Sequence, residues 1–158
     1  MRSELERLSE PDIEQLIPHR RPFMFLKSAE IVKPGVHATG ELADLSHPDF
    51  DFLKGHFPGD PVVPGVILTE ALAQLSGVAR VSGTKADTNK IGFLRRDRMD
   101  YKQPVKPGDS VQLEVEIIRF RMNVGVSKVK ATKDGKIAAE GEITFFLIDK
   151  PDVSRPSS

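Results

Sequence analysis

Apolar residues recur at two different spacings along this chain, and the change between them separates a helical centre from strand-forming flanks. Residues 66–81 contain no proline and one glycine, and their apolar side chains occupy nearly every side of a helical wheel. This predicts a buried helix. Further on, Val111, Leu113, Val115 and Ile117 share one face while Gln112, Glu114 and Glu116 share the other, the period of a half-buried strand. Residues 23–32 and 36–45 predict an antiparallel pair around Lys33-Pro34-Gly35, and 123–132 with 137–148 a second pair around Asp134-Gly135. Near the start, Ser9 as N-cap, Pro11 in the first turn and Ile13, Leu16 and Ile17 at helical spacing predict a short helix that Pro18 stops.

Two stretches interrupt these patterns. Residues 45–64 hold four prolines and two glycines, which predicts a structured loop without regular elements, a kind of loop that usually serves function. Residues 84–90 read as a polar linker. One long helix enclosed by a curved antiparallel sheet of five to seven strands satisfies this order, an α+β fold.

Composition narrows the function. The 158 residues fit one domain, expected over 1–150, with a disordered tail over 151–158. The absence of cysteine excludes disulfides, thiol catalysis and Cys-ligated metal. Lys and Arg total 23 against 23 Asp and Glu, a balance that argues against a protein held to nucleic acid by phosphate neutralisation. No apolar run reaches the roughly 18 residues of a membrane span. A cytoplasmic location without membrane insertion is the expectation.

Candidate chemistry concentrates in Gly55-His56-Phe57-Pro58-Gly59-Asp60-Pro61-Val62-Val63-Pro64-Gly65-Val66 and the following Glu70-Ala71-Leu72-Ala73-Gln74. Glycines and prolines restrict the backbone tightly around one imidazole. Glu70 sits early in a helix patterned for burial, where a charge needs a partner or a task; a solvated stripe of Glu70 and Gln74 is the alternative. Gly65 stands at the helix N-terminus, where free N–H groups favour negative charge, although a plain helix start behind Pro64 needs no ligand. Base (His56), acid (Glu70) and oxyanion donor (the Gly65 N–H) form the set for abstracting a proton next to a carbonyl and expelling a β-hydroxyl.

Five motifs, Ile17-Pro18-His19-Arg20-Arg21-Pro22-Phe23, Gly55-His56-Phe57-Pro58-Gly59, Pro64-Gly65-Val66, Glu70-Ala71-Leu72-Ala73-Gln74 and Pro104-Val105-Lys106-Pro107-Gly108-Asp109, resemble the (3R)-hydroxyacyl-[acyl carrier protein] dehydratases of FabZ type, in that family's order. The resemblance implies a hotdog fold and dehydration of 3-hydroxyacyl thioesters to trans-2-enoyl thioesters in fatty acid biosynthesis. It also implies a homodimer, or a trimer of such dimers, in which the histidine matching His56 and the glutamate matching Glu70 come from opposite subunits. No metal or organic cofactor is implied, the acyl chain arriving on the phosphopantetheine arm of acyl carrier protein. His47-Pro48-Asp49-Phe50-Asp51-Phe52-Leu53-Lys54 resembles the related FabA type instead, but Glu70 is the FabZ-type acid, which favours dehydration alone. Arg96 and Asp100 depart from the family pattern.

Residues 90–106 carry six basic and two acidic side chains. Arg95, Arg96, Arg98 and Lys102, with Arg20, Arg21 and Lys54, are candidates for docking the acidic carrier protein, although each also suits a solvated face. Phe25, Phe57 and Gln74 are candidates for the substrate tunnel. His19 reads as structural, and His19, His37 and His47 lack metal-ligand spacing. Two functions compete with dehydration: an acyl thioesterase in which Glu70 activates water, and a non-catalytic module that binds acyl thioesters.

Overall fold

A computed structural model describes residues 5–151, and the side chains of Lys85 and Ala86 lie outside that description. The tail expected over 151–158 falls outside the described residues beyond Pro151. Seven strands form one antiparallel sheet: β1 (Glu6–Ser9), β2 (Leu26–Lys33), β3 (His37–Leu42), β4 (Lys90–Tyr101), β5 (Gln112–Arg121), β6 (Val124–Lys133) and β7 (Lys136–Asp149). Their order across the sheet is β1-β2-β3-β5-β6-β7-β4, so β4 forms one edge. Two helices, α1 (Glu10–Glu14) and α2 (Gly65–Val81), complete the α+β architecture, α2 being the long helix against the concave sheet. This is the hotdog arrangement expected from the motifs.

The core follows the patterns from which it was anticipated. Leu113, Val115 and Ile117 of β5 turn inward against α2, where Leu68, Ala71, Leu72, Leu75, Val78 and Ala79 are buried. Leu72 has no exposed surface, so Leu72→Ala removes apolar contacts and leaves a void. The expected cost is about 2–5 kcal/mol, visible as a lower urea midpoint with an unchanged slope.

Four expectations need correction. The N-terminal helix ends at Glu14, and Leu16 and Ile17 lie in the turn after it, with both backbone N–H groups bonded to the Ile13 carbonyl. Ser9 does cap that helix, in a reciprocal bond with Asp12. Strand β1 precedes it unannounced, because Leu8 is its only buried residue and one inward side chain makes no alternation. The segment read as an irregular loop contains a 3-10 helix, Pro48–Gly55. Pro48 sits in its first turn, where no N–H is required, and the buried pair Phe50 and Leu53 matches a three-residue turn. The polar linker also coils into a 3-10 helix, Lys85–Asn89, fastened by Asp87 to Arg80 of α2 at 2.9 Å.

Candidate active site

His56 ends the Pro48–Gly55 helix and faces a recess lined by Val62, Gly65, Val66 and Tyr101. Two features hold its loop. Phe57 and Asp60 exchange backbone hydrogen bonds around Pro58-Gly59, where Gly59 adopts φ 81°, a value that favours glycine. The Val62 N–H donates to the His56 carbonyl at 2.6 Å. The imidazole Nδ1 lies 2.8 Å from the Val62 carbonyl oxygen, which can only accept, so Nδ1 carries the proton and donates. In the neutral ring Nε2 is then the lone-pair nitrogen, the one a general base uses. Phe57 stacks on the ring at 4.2 Å between centroids and is exposed.

Gly65 begins α2 behind Pro64, which supplies no side-chain cap. A Cβ at this position would stand 2.8 Å from the Tyr101 ring, so close packing by Tyr101 requires glycine here as much as any ligand would. The Tyr101 hydroxyl is bonded to Thr69 at 2.7 Å. Tyr101 is the one tyrosine of the chain, and only the fold places it beside His56.

Glu70 occupies a different recess, which shares no lining residue with that of His56. Glu70, Ala73, Gly77 and Val81 fall on one face of α2 and floor a cavity walled by Leu16, Ile17, Phe93, Phe145 and Leu147. The cavity volume is about 60 Å³. Eleven residues of helix separate Glu70 from Val81, about 16 Å at 1.5 Å per residue. The polar groups at the Glu70 end are His19, whose Nε2 lies 3.4 Å from Glu70 Oε1, and Gln74, whose Nε2 lies 3.2 Å from the same oxygen. Gln74 is buried and tied to the backbone of Phe23 and Phe25. Phe25 itself is fully enclosed between Phe23 and Phe50 and does not line the cavity.

The candidate docking residues divide into two groups. Arg20 donates to the carbonyls of Glu14, Ile17 and His19 and so clasps its own turn. Arg21 pairs with Glu10 at 2.8 Å and with Asp49 at 3.3 Å; the hydrogen bond it donates to Glu10 leads in keeping its guanidinium more firmly protonated than usual. Lys54 pairs with Asp51 and Lys102 with Glu140, each at 3.1 Å. Arg95, Arg96 and Arg98 of β4 are exposed and, among the described residues, have no acidic partner. Among those residues no cluster of three or more histidines and carboxylates could hold a metal ion. None of the described helices is long and apolar enough to cross a membrane.

With this geometry in place, sequence comparison is decisive. The FabA-like domain family matches residues 17–142. The chain belongs to this family. It is 41% identical over 144 residues to a Thermomicrobium roseum protein named 3-hydroxyacyl-[acyl-carrier-protein] dehydratase FabZ, the match covering 90% of this chain and 94% of that one. A protein of the same name from Acetivibrio thermocellus is 40% identical, with 90% and 96% covered. The fold also matches a solved structure, the dehydratase heterocomplex ApeI:P from Xenorhabdus doucetiae, at a TM-score of 0.72 and 16% identity over 87% of this chain and 91% of that one. Within this FabA-like chain, His56 and Gly65 share one recess while Glu70 and Gln74 share another.

Proposed function

We propose that this chain dehydrates (3R)-hydroxyacyl thioesters carried on acyl carrier protein to trans-2-enoyl thioesters, as a cytoplasmic enzyme of fatty acid biosynthesis. His56 Nε2 takes the proton next to the thioester carbonyl, and the Gly65 N–H stabilises the charge that develops on the carbonyl oxygen. Glu70 gives its proton to the leaving hydroxyl, which departs as water. The carrying observation is the Glu70 cavity, whose walls are mainly apolar apart from His19, Glu70, Gln74 and Lys90, which suits an acyl chain whose β-carbon reacts at its mouth. The 3-hydroxyacyl dehydratase names of relatives about 40% identical agree with it. Gln74 lines this cavity beside Glu70, Phe57 lies against His56 instead, and no cofactor enters the reaction.

Base and acid lie in separate recesses, so one copy of the chain does not join them. Strand β4 suggests how a second copy does. It is 12 residues long, forms the edge of the sheet, and has no buried residue, with Phe93, Leu94 and Tyr101 all exposed. A long edge with apolar side chains is a template for pairing. A homodimer through β4, alone or in a trimer of dimers, would set Glu70 of one copy against His56 of the other. Arg95, Arg96 and Arg98 lie on the same strand and supply unpaired positive charge for an acidic carrier protein.

Incubation with a 3-hydroxyacyl carrier thioester, followed by mass spectrometry, tests the reaction. The expected product has lost one water and keeps its thioester. Release of free thiol with the hydroxyacyl group intact would identify a thioesterase, and tight carrier binding without turnover a binding module.

A further inference from the structure

His19 presents a buried polar atom without a partner. Its Nδ1 is buried and, among the described residues, has no hydrogen bond, while its Nε2 faces Glu70. A proton on Nδ1 would be a buried, unpaired donor, the costlier arrangement, whereas an N–H at Nε2 has the Glu70 carboxyl to bond. A neutral ring would therefore carry its proton on Nε2, directed at Glu70 Oε1 at 3.4 Å, the opposite tautomer to His56.

Gln74 leads to the same oxygen. The Phe25 N–H donates to Gln74 Oε1 at 3.0 Å, which fixes the amide orientation and makes Nε2 the donor. That nitrogen donates one hydrogen to the Phe23 carbonyl at 2.9 Å and the other to Glu70 Oε1 at 3.2 Å. Oε1 thus accepts from Gln74 and faces the His19 Nε2 at 3.4 Å, and among the described residues no hydrogen bond reaches Oε2. When Glu70 is protonated, the oxygen turned to these donors is its carbonyl oxygen, and the acidic proton sits on the other.

The geometry points to His19 as a positioning residue that, together with Gln74, occupies Oε1 of Glu70 and leaves Oε2 to deliver the proton to the departing hydroxyl. This inference rests on the dehydratase reading given above. As the carbon–oxygen bond breaks, the Oε2 proton completes a water molecule, the α-proton passes to His56, and Glu70 is left a carboxylate. The two donors on Oε1 stabilise that carboxylate as it forms, an interaction stronger in the transition state than in the ground state. Lys90, the other charged side chain lining the cavity, is directed to Asn123 Oδ1 at 3.0 Å and to Asp87 at 4.0 Å.

His19→Leu and His19→Gln test the assignment beside Glu70→Gln and His56→Ala, because a glutamine Nε2 can take the place of the imidazole Nε2. His19→Leu is expected to lower kcat about tenfold, the scale of one hydrogen bond to a charged group, with little change in KM. His19→Gln should recover activity to within about threefold of the parent. Independently of catalysis, nitrogen-15 spectra of the histidine-labelled protein should show a neutral His19 with its proton on Nε2, assigned by the signal missing in His19→Gln. Wild-type kcat in His19→Leu, equal losses in both variants, or an Nδ1–H tautomer would overturn the inference. Should His19→Leu not fold, His19→Gln and the tautomer decide. Full activity in Glu70→Gln would instead remove the dehydratase reading beneath it.

Discussion

Glu70→Gln and His56→Ala should each lower kcat/KM for hydroxyacyl dehydration by about 10²–10⁴-fold, the range contributed by general acid–base groups. The first substitution is the cleaner of the two. A glutamine keeps the shape of the side chain and an amide oxygen that can still accept from Gln74 and His19, so it removes the transferable proton and little else. His56→Ala removes the Nε2 lone pair and frees the Val62 carbonyl, but His56 is only half-buried, so its melting temperature should fall by no more than a few degrees. Steady-state kinetics with melting curves separate loss of chemistry from loss of structure. Retention of full activity by both variants would remove these residues from the reaction.

The parts legible in the sequence are those whose signal is local. Helix α2 was readable because its apolar residues surround the whole wheel, and 11 of its 17 residues are buried. Strand β5 was readable because Leu113, Val115 and Ile117 alternate with polar neighbours. His56 was legible because six glycines and prolines confine a single imidazole, a backbone cost that packing alone does not explain. Short elements escaped, since one buried residue in β1 or two in the Pro48–Gly55 helix make no period.

Long-range pairing escaped as well. His19 and Glu70 are 51 positions apart, and nothing near His19 announces its partner; the turn that presents it is held by Arg20 through bonds to Glu14, Ile17 and His19. The sequence displays the charges of Arg20 and Arg21 but not their partners, backbone carbonyls for Arg20 and Glu10 with Asp49 for Arg21. The composition of β4 likewise could not show that none of its residues is buried in a single chain.

The second large effect follows from the separation of His56 and Glu70 into two recesses. If each complete site takes its base from one copy and its acid from the other, a dimer of one His56→Ala chain and one Glu70→Gln chain contains one site with both residues intact and one with neither. Random pairing makes half of all dimers mixed, so about a quarter of wild-type activity should return from two inactive proteins. Two further variants check that the gain comes from shared sites. A Leu94→Glu change on the exposed edge of β4 should weaken pairing and reduce the recovered activity. A chain carrying both His56→Ala and Glu70→Gln should rescue neither single variant.

The most direct measurement of the account is therefore hydroxyacyl-thioester dehydration by the two single variants, refolded separately and then together from denaturant at equal concentration. Recovery of about a quarter of wild-type activity in the joint sample alone is the predicted result. A joint sample no more active than its components, with mixed dimers demonstrated by mass, would contradict a site shared between two chains.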